Sequence, residues 1–378
     1  MSEEHSTEAK KKRPSRWHRP IWWLNLLAVG ALLLSYLSIR VDPGTFWPLA
    51  FFGMAYPFLL VAHVLCLIWW FLFRRKRMWL SGLALLLGFG HVGEFVQFSG
   101  DTDQPEAART PFKVMSWNVR IFDLYNWNHS IQTREEMLEL IRVEDADILC
   151  MQEFLNEENG SEPPVREQLL ADYRFTHKAD EYTAHTKYGH HFGIATFSTY
   201  PIVLKGVIHF PDDLNNLCLW TDIRIGTDTV RVYNAHLASL RFGDQDYRFM
   251  KDVEGATTQQ LEQGGKRIAR RLKSGFIRRA AQMKKIAAHM EQSPHPVIWC
   301  GDMNDTPMSY SYHQLRELDL RDAFVESGQG VGHTYIGAFP SFRIDHIMAG
   351  PELVCWNMRT LPEELSDHRP LTCWMALR

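Results

Sequence analysis

The first constraint on this 378-residue chain is the near absence of charge between residues 21 and 98, interrupted at Arg40, Asp42, the cluster 74–77 and Glu94. Ile21 to Ile39 is an uncharged run, and about 20 apolar residues suffice to cross a bilayer. Phe46 to Phe73 is a second such run, with Pro48 and Pro57 placed to kink it. Met78 to Phe98 is a third and weaker one, with His91 and Glu94 near its far end, which read as interfacial residues in preference to an intramembrane site. Three transmembrane helices are expected, at about 21–39, 46–73 and 78–98. Arg40-Val41-Asp42-Pro43-Gly44 is a tight connector, and Arg74-Arg75-Lys76-Arg77 stops the second run. A signal peptide is the competing reading of the first run. Its length, the lack of a clear small-residue cleavage site and the apolar segments that follow argue against that. Trp17, Trp22, Trp23, Trp69 and Trp70 lie at segment ends, as in an aromatic belt.

Basic residues set the expected orientation. Residues 1–20 carry Lys10, Lys11, Lys12, Arg13, Arg16 and Arg19. They and the 74–77 cluster both belong on the cytoplasmic side of a bacterial-type inner or plasma membrane. A third crossing then places everything beyond residue 100 on the extracytoplasmic, periplasmic face. If 78–98 only lies in the interface, the soluble part is cytoplasmic. Residues 99–111, with Pro105 and Pro111, read as a linker, and 112–378 as one globular domain. Six cysteines without C-x-x-C spacing exclude an obvious zinc site or a dense disulfide framework. Five of them follow residue 100, an odd number for an oxidising compartment unless they are buried.

Within 112–378, apolar runs repeatedly end in polar side chains. Pro296 to Cys300 reads as a buried strand, broken at Gly301 and followed by Asp302 and Asn304. Residues two apart in extended chain face the same side, so both project toward one cavity. A carboxylate beside a carboxamide suits hard-cation chemistry and proton transfer. Gly, Asp and Asn are also ordinary turn residues, but the pattern recurs. Phe112 to Trp117 ends in Asn118, and Asp147 to Gln152 ends in Glu153. A hairpin of Leu217–Ile225 and Thr229–Tyr233 runs into Asn234-Ala235-His236-Leu237. Phe342 to Met348 is an alternating strand with Asp345 inside it, and Ser366-Asp367-His368-Arg369-Pro370 precedes a final strand, Leu371–Leu377. His190 and His191 invite a metal reading, although adjacent strand residues point to opposite faces.

Residues 241–290 are basic. Gly264-Gly265 precede Lys266-Arg267-Ile268-Ala269-Arg270-Arg271-Leu272-Lys273, and Ile277 to Met290 has helical spacing with Arg278, Arg279, Lys284 and Lys285. The stretch reads either as a solvated helix face or as a platform for a polyanion or an anionic membrane surface. Arg241 and Arg279 are its candidate substrate contacts.

The ordered series Ser116-Trp117-Asn118, Gln152-Glu153, Asn234-Ala235-His236-Leu237, Gly301-Asp302-Met303-Asn304, Ile344-Asp345-His346 and Ser366-Asp367-His368-Arg369-Pro370 resembles the endonuclease/exonuclease/phosphatase (DNase I-like) superfamily. The resemblance implies a four-layer α/β/β/α sandwich of two mixed sheets, with the site at one rim. It implies Glu153, Asn118 and Asp367 as ligands of Mg²⁺, with Mn²⁺ or Ca²⁺ as alternatives. It implies Asp302 as the group that aligns or deprotonates water and Asn304 as a phosphate-orienting group. His368 and His236 would face the phosphate, and Asp345 would hold a histidine tautomer. The expected enzyme is a membrane-anchored metal-dependent phosphodiesterase acting on nucleic acid. A lipid-directed phosphodiesterase or phosphatase, with a phospholipid head group as substrate, is the alternative, and a non-catalytic binding protein is a third reading.

Overall fold

A computed structural model of the chain describes residues 18–378, except 107, 160–162, 241, 252–256 and 338–340. The basic residues Lys10 to Arg16, together with Trp17 and Arg241, lie outside the described residues. Two six-stranded mixed sheets form the centre of the domain. In the first, the order is Leu353–Thr360, Leu371–Leu377, Arg109–Asn118, Ile148–Glu157, His190–Ser198, His177–His185. The second has Arg321–Asp322, Asp345–Ala349, Val297–Asp302, Asp228–His236, Leu217–Ile225 and Ile202–His209. Each sheet holds one parallel pair at its middle, Arg109–Asn118 with Ile148–Glu157 and Asp228–His236 with Val297–Asp302.

Both faces of these central strands are covered, which is why they read as near-continuous apolar runs. Val114, Ile148 and Cys150 meet Val232, Ile298 and Cys300 between the sheets. On the opposite face Met115, Trp117 and Leu149 pack under Met137, Leu138 and Ile141 of the helix Thr133–Glu144. Tyr233 and Trp299 pack under Met283 and Ile286 of the helix Thr258–Met290, and under Tyr312 of Tyr310–Glu317. The result is the expected α/β/β/α sandwich. All six cysteines are free, and Cys150, Cys218, Cys300 and Cys373 are buried.

Several expectations shift in detail. Gly301 lies inside the strand Val297–Asp302, paired with Ala235, rather than ending it. A Cβ there would stand 2.1 Å from the Ala235 carbonyl oxygen, so the close approach of the two parallel strands requires glycine. Asp345 opens its strand instead of sitting within it. Gly264-Gly265 lie inside a 33-residue helix that starts at Thr258 behind a Thr257–Gln260 capping box. Residues 109–111 of the expected linker already belong to a strand, and Asn357 donates its backbone N–H to the Asp101 carbonyl at 2.7 Å.

Among the described residues, two helices, His18–Ser38 and Tyr56–Phe73, are long and apolar enough to cross a membrane. Only 22% and 17% of their apolar windows are buried, unlike the core helix of a water-soluble protein. The run 46–73 is divided into Pro43–Phe46, Pro48–Met54 and Tyr56–Phe73 because proline cannot continue the backbone ladder. The expected third crossing is helical only over Met78–Leu87 and Phe89–Val92, where Gly88, Gly90 and Gly93 weaken the helix. It nevertheless runs beside the first helix. Arg77 Nη1 donates to the His18 carbonyl at 3.1 Å, while Tyr36 donates to the Ala84 carbonyl at 3.0 Å and stacks on His91. Asn25, Ser81 and His63, one from each pass, form a buried hydrogen-bonded chain.

These helices rest on the sandwich at the end away from Arg74–Arg77. Ser38 donates to the Met308 carbonyl at 3.1 Å, Asp42 pairs with Lys284, Phe51 meets Phe276, and Arg343 Nε donates to the Glu94 carbonyl at 3.1 Å. For the sandwich itself, Gly301→Ala is expected to overpack the strand crossing and destabilise the domain by about 1–3 kcal/mol. A lowered midpoint in thermal or denaturant unfolding is the readout, and an unchanged midpoint contradicts the close approach.

Candidate active site

The two parallel pairs end at one rim. Asn118 is level with Gln152, His236 is level with Asp302, and Asp345 lies opposite Asp302 from the antiparallel side. Just beneath, Gln152 Nε2 donates to Asn234 Oδ1 at 2.8 Å, and Asn234 donates to the Ala195 carbonyl at 2.9 Å. Asn234 is thus a polar tie between the sheets. The segment carrying Asp367 and His368 is fixed to the same rim: Ser366 donates to the Asn118 carbonyl at 2.8 Å, and Trp117 Nε1 to that of His368 at 2.9 Å.

Asp302 is the centre of the site and only 1% exposed. It accepts the Asn304 backbone N–H at 2.8 Å, the Asn304 side-chain amide at 3.3 Å and the Asn118 amide at 3.0 Å. His236 Nε2 stands 3.6 Å away and His368 Nε2 3.7 Å. Burial, followed by the neighbouring Asp345 carboxylate, pushes the Asp302 carboxyl above its ordinary value, against the pull of the two imidazoles. A carboxylate raised in this way is better able to take a proton from water.

His368 Nδ1 lies 2.8 Å from Asp345 Oδ2, which fixes the ring and leaves Nε2 toward Asp302. Burial opposes the charged ring, but Asp345 and Asp302 together hold it well above the ordinary imidazole value. The Asp345 backbone N–H donates to Thr334 Oγ1 at 3.0 Å, and Asp345 Oδ1 is buried without a protein partner.

Glu153 owes its position to a β-bulge. Met151 pairs with Ala195 and Phe154 with Gly193, so Gln152 and Glu153 share the place of one partner residue. Glu153 takes a left-handed φ of 48°. Such a conformation costs a residue with a Cβ about 1–3 kcal/mol and is typical of functional sites. The bulge sends Gln152 inward and leaves the Glu153 side chain 37% exposed at the rim, 3.8 Å from His236 Nε2. Asn304, with φ of 52°, adopts the same region more easily, as Asn does.

A cavity of about 230 Å³ is lined by Glu153, His236, Asp302, Asn304, Asp367 and His368. Asp367 is pushed up by burial, with Glu153 and Asp302 adding to the shift and His368 and Arg120 opposing it. Arg120 Nε lies 3.4 Å from Asp367. Crowded oxygen donors of this kind fit a hard divalent cation, which would relieve their repulsion. Asn118 directs its amide nitrogen at Glu153 and Asp302, at 3.3 and 3.0 Å, so it offers an oxygen to an ion only after a half-turn of the amide. Asp302, Asp345 and His368 also place ligand atoms within 4.8 Å of one another, but the facing atoms of Asp345 and His368 are joined by a hydrogen bond.

Other sequence candidates are placed differently. Arg279 lines the cavity, yet it is buried, with Nε 3.1 Å from Asp305 and Nη1 donating to the Ala238 carbonyl. His190 and His191 pair with Glu157 and Glu158 and are not among the residues lining the cavity. The basic stretch is partly compensated: Lys266 pairs with Glu262, Arg267 and Arg271 share Asp246, Arg278 pairs with Asp213, and Lys284 with Asp42, while Lys273 lies over the Trp47 ring and Lys285 donates to the His209 carbonyl. Two residues had no sequence signal: Arg120, beside Asp367, and Tyr335, whose ring packs on His368 at 5.2 Å. Titration of His368 by imidazole NMR is expected to show the proton retained well above the ordinary histidine range. In Asp345→Asn that titration should move to lower pH, because the facing negative charge is gone; an unmoved titration contradicts the pairing.

A profile of the Endonuclease/Exonuclease/phosphatase family matches residues 115–368, and one of a domain of unknown function matches residues 18–95. No curated protein matches the chain. Among solved structures, the fold is similar to an endonuclease/exonuclease/phosphatase from Beutenbergia cavernae DSM 12333, with TM-score 0.50 and 17% identity, covering 71% of this chain and 72% of that one. It is also similar to a functionally unknown conserved protein from Enterococcus faecalis V583, with TM-score 0.50 and 16% identity, covering 70% and 100%. The likenesses show a shared fold, and the profile match spans well over half of the sequence: the chain belongs to the Endonuclease/Exonuclease/phosphatase family, whose members hydrolyse phosphoester bonds.

Proposed function

We propose that the protein is a divalent-metal-dependent phosphodiesterase held in a membrane by its N-terminal helices. The observation that carries the chemistry is the buried line Asp345–His368–Asp302 beside His236 and Glu153 at one cavity. Asp302 aligns a water molecule and takes its proton as the oxygen bonds to phosphorus. His368, held charged by Asp345, and His236 donate to the non-bridging oxygens as negative charge grows there. Asn304 acts through Asp302 and is a positioning residue. The P–O ester bond breaks, and the departing oxygen takes its proton from solvent. Glu153 and Asp367, with Asn118, would hold Mg²⁺, Mn²⁺ or Ca²⁺, which supplies charge neutralisation at the phosphoryl group.

Glu153→Gln and His368→Gln are each expected to lower hydrolysis of bis(4-nitrophenyl) phosphate by about 100-fold or more. EDTA should abolish it and added Mg²⁺ or Mn²⁺ restore it. Full activity in both variants, or in EDTA, removes the assignment.

Membrane placement draws on the two apolar helices, their exposed faces and the third, shorter pass beside them. Arg74–Arg77 lies at the end where the chain enters the first helix, and the sandwich sits at the other end. With basic residues on the cytoplasmic side, the catalytic domain faces away from the cytoplasm. A phosphatase reporter fused after residue 100 should therefore be active outside the cytoplasm; an inactive, stably expressed fusion reverses the topology.

A further inference from the structure

The active-site cavity is not walled by the sandwich alone. Met54, from the helix Pro48–Met54 between the two apolar helices, lines it together with Phe342 and Ile344. Phe342 is also a wall of a second hollow, of about 390 Å³, in the seam between the helix Tyr56–Phe73 and the domain. That hollow is lined by Leu60, Val61, Val64 and Leu65 on the helix side and by Val331 and Phe342 on the other. Val61, Val64 and Leu65 are 60%, 49% and 61% exposed, so none of the described residues covers them. They belong to the half of the helix nearest the domain, where Phe58 meets the Phe342 ring at 6.1 Å. An apolar groove therefore begins on a candidate membrane span and ends at a side chain that also borders the catalytic cavity.

A third hollow, of about 200 Å³, reaches Glu153 and His236 from beside Phe192 and Leu217. The reactive groups thus have space on two sides, as a phosphodiester with two unlike substituents needs. The positive charges that suggested a polyanion platform on the helix Thr258–Met290 are mostly engaged by Glu262, Asp246, Asp213, Asp305 and Asp42. Ion pairing thus lowers the positive charge that this helix offers a long nucleic acid, while exposed apolar area beside the site favours a hydrocarbon chain.

We propose that the substrate is a lipid phosphodiester whose hydrocarbon chain lies in the groove between the helix Tyr56–Phe73 and Val331–Phe342 while its phosphate occupies the catalytic cavity. This rests on the phosphodiesterase reading above. The chain enters sideways from the bilayer and passes Phe342. The water oxygen bonds to phosphorus, one P–O ester bond breaks, Asp302 takes the water proton, and the departing alcohol is protonated by solvent.

The test uses the full-length protein in phosphatidylcholine nanodiscs with Mg²⁺ or Mn²⁺. Its substrates are alkyl 4-nitrophenyl phosphates from ethyl to decyl, each below its micellar concentration. The expected result is a kcat/KM that rises by up to about fourfold per methylene until the groove is full. Val64→Trp and Val331→Trp, which fill the groove from opposite walls, should flatten the series. The decyl-to-ethyl ratio is internal to each variant, so a reduced folded fraction does not affect it. A flat series in the wild type overturns the groove assignment. So does a series equally steep in both variants, since partition into the disc then accounts for the gain. Preference for a single-stranded oligonucleotide over the decyl ester also overturns it. No hydrolysis of any diester, the ethyl ester included, overturns the underlying phosphodiesterase reading instead.

Discussion

The burial of the Asp302 carboxylate is the condition on which the rest of the site depends. A carboxylate removed from water needs partners, and Asp302 draws them from across the fold. Asn118 reaches it from the other sheet, Asn304 from its own strand's exit, and His236 and His368 from two further segments. The two sheets are therefore joined at their rim by polar contacts and below it by an apolar core of Val114, Cys150, Val232 and Cys300. The core supplies the driving force for packing the sheets together. The polar rim fixes their register, because a one-residue slip of either parallel pair would turn these groups away from one another.

The same rim holds the strained positions of the site. Glu153 sits in a bulge with a left-handed backbone, and Gly301 allows two parallel strands to approach more closely than any side chain would permit. Both features lie within one or two residues of groups that face the cavity. Left-handed backbone and bulges also occur elsewhere, at Asp145 and Asn357 for example, but at Glu153 the irregularity aims a carboxylate into the cavity.

The N-terminal helices are part of this arrangement as well as a candidate anchor. Their connector touches the sandwich through Ser38, Asp42 and Phe51, and Met54 reaches the catalytic cavity itself. The returning third pass delivers Glu94 to Arg343, which in turn pairs with buried Asp322 at 2.7 Å. An anchor joined only by a flexible linker would leave the orientation of the site free. Here the seam sets where the cavity lies relative to the apolar helices.

By itself the sequence determined the apolar segments, the strands with two buried faces and the polar residues at their ends. Each of these is a local pattern of hydrophobicity or chain punctuation. The strand Leu371–Leu377 is legible to its last residue, and Asn118, Glu153, His236, Asp302, Asp345, Asp367 and His368 could all be picked out. Only the tertiary structure decided what the charges do. Arg279 and the lysines and arginines around it look available in a linear reading, but their acidic partners, Asp213, Asp246 and Asp305 among them, are distant in sequence and meet them only on folding. The β-bulge under Glu153, the contact of Tyr335 with His368 and the groove beside Phe342 were illegible for the same reason. Each is made by two or more segments brought together in space, and no single stretch of chain carries its signature.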